Sequence, residues 1–203
     1  QWPLLDEEYF EWRDVLGAAF AASHGRAGLA VAEIGSLAHA VWVTRAAVAF
    51  VRHAPAELPC DLLIVDPIML NDTRLHEHLE ANLPRGRCQT HSMPAYVSKE
   101  EPLAGLLDAA RARAGRWDFV DVDVQGAEVT IVEHELPALA ARVLRLHLST
   151  HTRATHRRIV HSLRASGWAV HVEFPPVTVA RVEGYGPFAS MDGHIATTPP
   201  GFG

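Results

Sequence analysis

At 203 residues the chain has room for one substantial core, and with 48% hydrophobic and 21% charged residues it has the make-up of an ordinary globular protein. A formal net charge of −6 argues against non-specific nucleic-acid binding, which needs clustered Lys and Arg to displace counterions. No apolar run approaches the roughly 18 residues of a membrane span and nothing resembles a signal peptide, so neither nucleic acid nor a membrane is expected as a partner.

Lys99 is the only lysine, a compositional bias rather than a functional mark. Cys60 and Cys88 stand apart, suggesting neither a disulfide framework nor a cysteine-based zinc site, and a reducing cytoplasm is the expected compartment. Residues 1–28 are expected to form an N-terminal helical segment and residues 29–203 the main domain.

In chain order, Asp6 to about His24 reads as an amphipathic helix with Phe10, Val15, Leu16 and Phe20 near one face, ended by Gly25 and Gly28. Trp2, Tyr9 and Trp12 cluster there and are expected to pack that helix onto the body. Leu29–Ile34 is a short apolar strand ending in Glu33-Ile34-Gly35-Ser36. Ala40–His53 reads as a helix, Leu62–Val65 as a second buried strand ending at Asp66-Pro67, and Leu70 to Leu83 as a helix. Gly86 to about His91 is a polar third strand. Pro102–Arg113 is a helix with Leu103, Leu106, Leu107 and Ala110 at helical spacing.

The segment WDFVDVDVQGAE, Trp117–Glu128, organises the rest. Phe119, Val120, Val122 and Val124 supply strand-forming side chains, Asp121 and Asp123 interleave, and Gln125-Gly126 stops the strand before an apolar helix. Val143–Leu148 is the next strand, Thr152–Ala165 a basic-faced helix ending at Gly167, and Trp168–Phe174 a strand broken by Pro175 and Pro176. A Gly/Pro-rich loop precedes a last strand at about Ser190–Thr197. Strands alternating with helices imply right-handed βαβ units and a mostly parallel sheet. In such a sheet ligands lie outside the carboxyl ends of the strands, where Glu33, Asp66 and Asp123 fall; Asp66, after the second strand, suits a ribose diol.

VAEIGS at Val31–Ser36, LLIVDP at Leu62–Pro67, AYVS at Ala95–Ser98, DFVDVDVQGAE at Asp118–Glu128, LHLSTH at Leu146–His151, SGW at Ser166–Trp168 and DGHIA at Asp192–Ala196 follow the order seen in FkbM-type methyltransferases, which the chain resembles over about residues 29–200. The resemblance implies a Rossmann-like class I methyltransferase fold: α/β, with a mostly parallel seven-stranded sheet, its last strand antiparallel, and helices on both faces. It implies S-adenosyl-L-methionine as cofactor and O-methylation of a hydroxyl on a small molecule, sugar or natural-product intermediate, free or delivered on a carrier. Carried onto this chain, Glu33, Gly35 and Ser36 would sit by the methionine part of the cofactor and Asp66, with Pro67, by the ribose. Ser92 and Ala95 would flank the adenine, and Asp123 and Gln125 would line the cleft near the sulfonium and acceptor. Where the family usually has a second glycine in the first loop, this chain has Ala38-His39, and a bulky His39 there bears on cofactor affinity.

Methyl transfer to an alcohol is helped by a base that takes its proton, and His151, just past a strand end, is the candidate, with Asp123 as its partner. His147, inside the strand, is expected to be structural. His147, His151 and His156 do not form a zinc helix, because no HExxH spacing is present, and no metal is expected. Arg153, Arg157, Arg158 and Arg164 read as a solvated helix face. A cofactor-impaired, non-catalytic binding domain is the alternative that His39 raises; a nicotinamide oxidoreductase is disfavoured by the absence of GxGxxG after the first strand.

Overall fold

The computed structural model describes residues 7–25, 27–35, 40–68 and 72–202; Trp2, Ser36, Ala38 and His39 lie outside them. Seven strands form one sheet in the order β3-β2-β1-β4-β5-β9-β6. They are β1 (Leu29–Ile34), β2 (Cys60–Val65), β3 (Gln89–Met93), β4 (Phe119–Val122), β5 (Leu146–Thr150), β6 (Ala169–Phe174) and β9 (Gly193–Thr198). The first five pair in parallel, while β9 runs antiparallel to both β5 and β6.

β1, β2, β4 and β5 are buried along their whole length, which is why each reads as an apolar run. Their side chains alternate between two cores. Leu29, Val31, Leu62, Ile64 and Phe119 face the helices α1 (Glu7–His24), α2 (Val41–His53) and α3 (Asp72–Asn82). Ala30, Ala32, Leu63, Val65 and Val120 face α4 (Leu103–Ala110), α5 (Glu128–Ala140) and α6 (Arg153–Ala165). Helices therefore cover both faces, as expected.

The N-terminal helix is part of the body. Val15, Ala18 and Ala19 of α1 are buried against α2. The Arg45 guanidinium stacks 3.8 Å from the Trp12 ring and 4.6 Å from that of Trp42. Trp12 and Tyr9 thus serve packing, as expected. On α6, Arg158 pairs with Glu133 and Arg164 with Glu173, both at the surface.

Several expectations need correction. Cys60 and Cys88 are joined by a disulfide, with their Cα atoms 4.5 Å apart. Cys60 opens β2 and Cys88 directly precedes β3, its parallel neighbour, so sheet pairing closes a separation of 28 residues. The expectation of two free thiols fails, and with it the argument for a reducing compartment. The segment taken as a loop after Phe174 is a hairpin of β7 (Thr178–Val182) and β8 (Gly186–Ser190), standing apart from the main sheet. It packs Ala180 and Phe188 on Phe10 of α1. The helix expected to Arg113 ends at Ala110, because Arg111 turns left-handed at φ 49°. The third strand lies later than Gly86–His91, at Gln89–Met93, where it pairs with β2. No helix among the described residues is long and apolar enough to cross a membrane.

Candidate functional site

A cleft of about 250 Å³ opens outside the carboxyl ends of β1, β2 and β4. The end of β1 is knit to both neighbours: the Asp123 N–H after β4 donates to the Ile34 carbonyl at 2.8 Å, and the Gly35 N–H to that of Val65 in β2 at 2.8 Å. Gly35 has φ +90°, and a Cβ on it would stand 1.8 Å from the Asp123 carbonyl oxygen. Only glycine fits there.

Past β4 the chain turns through Gln125 at φ 53° and Gly126 at φ 132°. Glu128, in the first turn of α5, fixes this turn by accepting the N–H groups of Val124 at 3.2 Å and Gly126 at 2.7 Å. Asp66 lines the cleft at the end of β2, and one of its carboxylate oxygens accepts the Ile68 N–H at 2.7 Å. Ala95, Tyr96 and Val97 close the side beyond β3.

Beside the cleft, His151 follows β5. Its Nε2 lies 3.0 Å from Asp123 Oδ1 and 3.8 Å from Glu128 Oε1, and its Nδ1 lies 3.2 Å from Asp192 Oδ1. Burial disfavours the imidazolium, but the hydrogen bond to Asp192 and the charges of Asp123, Glu128 and Asp192 outweigh it and raise the His151 pKa. Asp123 is also raised, by burial first, against the attraction of His151. Asp123, Glu128 and His151 bring three ligand-type atoms together. Because both Glu128 oxygens already serve the loop N–H groups, the arrangement is better suited to holding a proton than a metal.

The structure brings Gly35, Asp66, Pro67, Ala95, Asp123 and Gln125 together around the cleft. Glu33 is elsewhere. It shares a strand face with Leu29 and Val31, so its carboxylate turns toward α2 and accepts the N–H groups of Val41, Trp42 and Val43 at 3.2, 2.8 and 3.1 Å. Ser92 is also displaced: with Thr90 it lines a separate groove beside Leu75, Leu79 and Cys88 of the α3 side. Ser36 lies outside the described residues. Two contributors were missed, Glu128 and Asp192. Both stand inside motifs already quoted, DVQGAE and DGHIA, but neither position alone says which way a carboxylate points.

No protein-family model and no curated protein matches the chain by sequence. Solved structures do match. The ribosomal protein L11 methylase of Lactobacillus delbrueckii subsp. bulgaricus superposes with TM-score 0.54 at 12% identity, over 95% of this chain and 80% of that one. The human methyltransferase 10 domain containing protein gives 0.54 at 12% identity, over 97% and 84%. The C-terminal domain of precorrin-6Y C5,15-methyltransferase from Rhodobacter capsulatus gives 0.50 at 12% identity, over 90% and 86%. The fold is that of the class I methyltransferases. In this methyltransferase fold the cleft sits at the strand ends where a ligand is expected. Among the described residues its lining carries the acids Asp66 and Asp123 and no Lys or Arg, a donor set that fits a cation and a ribose diol and opposes a pyrophosphate.

Proposed function

We propose that the chain is an S-adenosyl-L-methionine-dependent O-methyltransferase acting on a hydroxyl of a small molecule, such as a sugar or natural-product intermediate, free or carried on a larger protein. The observation that carries this reading is the imidazole of His151 held between Asp123 and Asp192 at the edge of an acid-lined cleft. The resemblance to FkbM-type methyltransferases supports the choice of a hydroxyl acceptor.

The cofactor, when bound, supplies an electrophilic methyl group on a sulfonium. Asp66 would accept the ribose hydroxyls of the bound cofactor, Pro67, Ala95 and Val97 would offer apolar contacts to its adenine, and Asp123 would supply negative charge to its sulfonium. His151, in its neutral form, takes the proton from the acceptor hydroxyl as the oxygen attacks, and Asp192 and Asp123 stabilise the imidazolium that results. Gln125, held at the cleft by its left-handed turn, is placed to orient the acceptor.

Isothermal titration with S-adenosylhomocysteine tests the reading, beside Asp66→Ala. Micromolar binding that is lost in the variant, followed by activity in a hydroxyl-acceptor screen that His151→Ala abolishes, is the expected result. A folded protein that binds no cofactor would instead favour the non-catalytic binding domain, with His39→Gly the next variant to titrate.

A further inference from the structure

On the α1 side of the sheet, away from His151, a second polar cluster is enclosed in the core. We propose that Glu11, His147 and His194 bind one divalent transition-metal ion of the zinc type, which fastens α1 to the sheet.

Three elements converge to build it. β5 and β9 are antiparallel neighbours in which His147 stands opposite Ala196, so His194, two residues away, projects from the same face. That face meets α1, which contributes Glu11. His147 Nε2 lies 2.7 Å from His194 Nδ1 and 3.4 Å from Glu11 Oε1, and His194 Nδ1 lies 3.9 Å from the same oxygen. All three residues are buried or nearly so, and their ligand atoms lie within 4.8 Å of one another.

The Glu11–His147 spacing is longer than a charge-assisted hydrogen bond, while His147 and His194 are hydrogen-bonded at 2.7 Å. Charge-assisted hydrogen bonds are usually about 2.7–2.9 Å long, and Glu11 makes none to either imidazole. Ligands about 2.0–2.2 Å from one zinc ion stand roughly 3.3–3.5 Å apart in a tetrahedral set, which brackets the Glu11–His147 spacing. For all three to ligate one ion, the 2.7 Å His147–His194 contact must open by about 0.6–0.8 Å and the 3.9 Å His194–Glu11 contact close by about 0.4–0.6 Å. Two imidazoles and a carboxylate make a donor set that zinc accepts.

The surroundings agree. His147 Nδ1 is hydrogen-bonded to Asp121, which fixes the tautomer so that Nε2 turns its lone pair toward Glu11 and His194, the outer-carboxylate arrangement typical of metal-bound histidine. Phe10 and Phe174 lie 5.9 and 6.1 Å from the His194 ring, centroid to centroid, and Phe119 stacks at 6.5 Å from that of His147. Tying α1 to β5 and β9 is the role this position fits.

The test is metal analysis of the full chain after dialysis against zinc, with cobalt(II) absorption as a second readout. About one ion per chain is expected, lost in Glu11→Gln and His194→Ala but kept in His151→Ala. A chelator should lower the Tm of the unaltered protein and leave that of Glu11→Gln unchanged. Should folded, unaltered protein hold no ion and its Tm ignore the chelator, the cluster is a hydrogen-bonded network and the proposal is wrong. It is equally overturned if Glu11→Gln and His194→Ala retain the ion. If His194→Ala does not fold, Glu11→Gln and the chelator series decide alone.

Discussion

The Nε2 of His151 stands 3.0 Å from Oδ1 of Asp123, across the gap between the ends of β5 and β4. With Asp192 on the other nitrogen, both ring N–H groups find a carboxylate, and the protonated form is favoured. The neutral imidazole needed to accept a proton therefore forms at higher pH than for an ordinary histidine. We predict a methyl-transfer rate that rises with pH along a limb set by this raised pKa. Asp192→Asn should move that limb to lower pH, whereas a purely structural Asp192 would lower the rate without moving it.

Asp66→Ala should weaken S-adenosylhomocysteine binding roughly ten- to hundred-fold, the loss of hydrogen bonds to a charged acceptor at about 1.5–3 kcal/mol. Calorimetry reads this directly. Circular dichroism should show an unchanged fold.

Glu33 couples stability to pH. Burial, then the charge of Asp121, pushes its carboxyl up to about 8 against three backbone N–H bonds. A carboxyl raised in the folded state takes up a proton on folding, so its contribution is full below about 4.5 and is lost as pH rises toward about 8. Asp118, raised to about 6 mainly by burial, acts in the same direction over a lower range. The Tm should accordingly fall between mildly acidic and mildly alkaline pH. Glu33→Gln should flatten that slope, as differential scanning calorimetry across the range would show.

Gly35→Ala should cost about 2–4 kcal/mol or force the β1 and β4 ends apart, because it combines a positive φ with a clash against backbone. Denaturant unfolding measures the first outcome and loss of cofactor binding the second.

How far the sequence revealed this architecture depends on what each residue's signal encodes. β1, β2, β4 and β5 are buried on both faces, so burial favours the mainly apolar stretches that announce them. Asp66 and Asp123 were legible because their backbone position at a strand end already places them by the cleft. Glu33 was misplaced because strand-end position was allowed to outweigh alternation: two residues after Val31, it must share the α2 face. The hairpin was hidden because Gly184, Gly186 and Pro187 look like a loop, while Val179 is exposed and the small Ala180 is buried, the reverse of what hydrophobicity suggests. The disulfide needed the pairing of β2 with β3, which no local pattern contains.

Cys60→Ser, or reduction of the unaltered protein, should lower stability by about 2–4 kcal/mol, since the bridge restricts the unfolded chain across its 28-residue separation. Mass spectrometry of the unreduced protein should find the two cysteines linked.

Asp192 reaches His151 from the turn between β8 and β9, beyond a hairpin that forms no part of the main sheet. The groups proposed to hold the donor hang instead from β1, β2 and β4. Of these, Asp123 alone faces both the cleft and His151; a change at Asp192, or in the hairpin before it, alters the surroundings of the imidazole while leaving β1, β2 and β4 untouched.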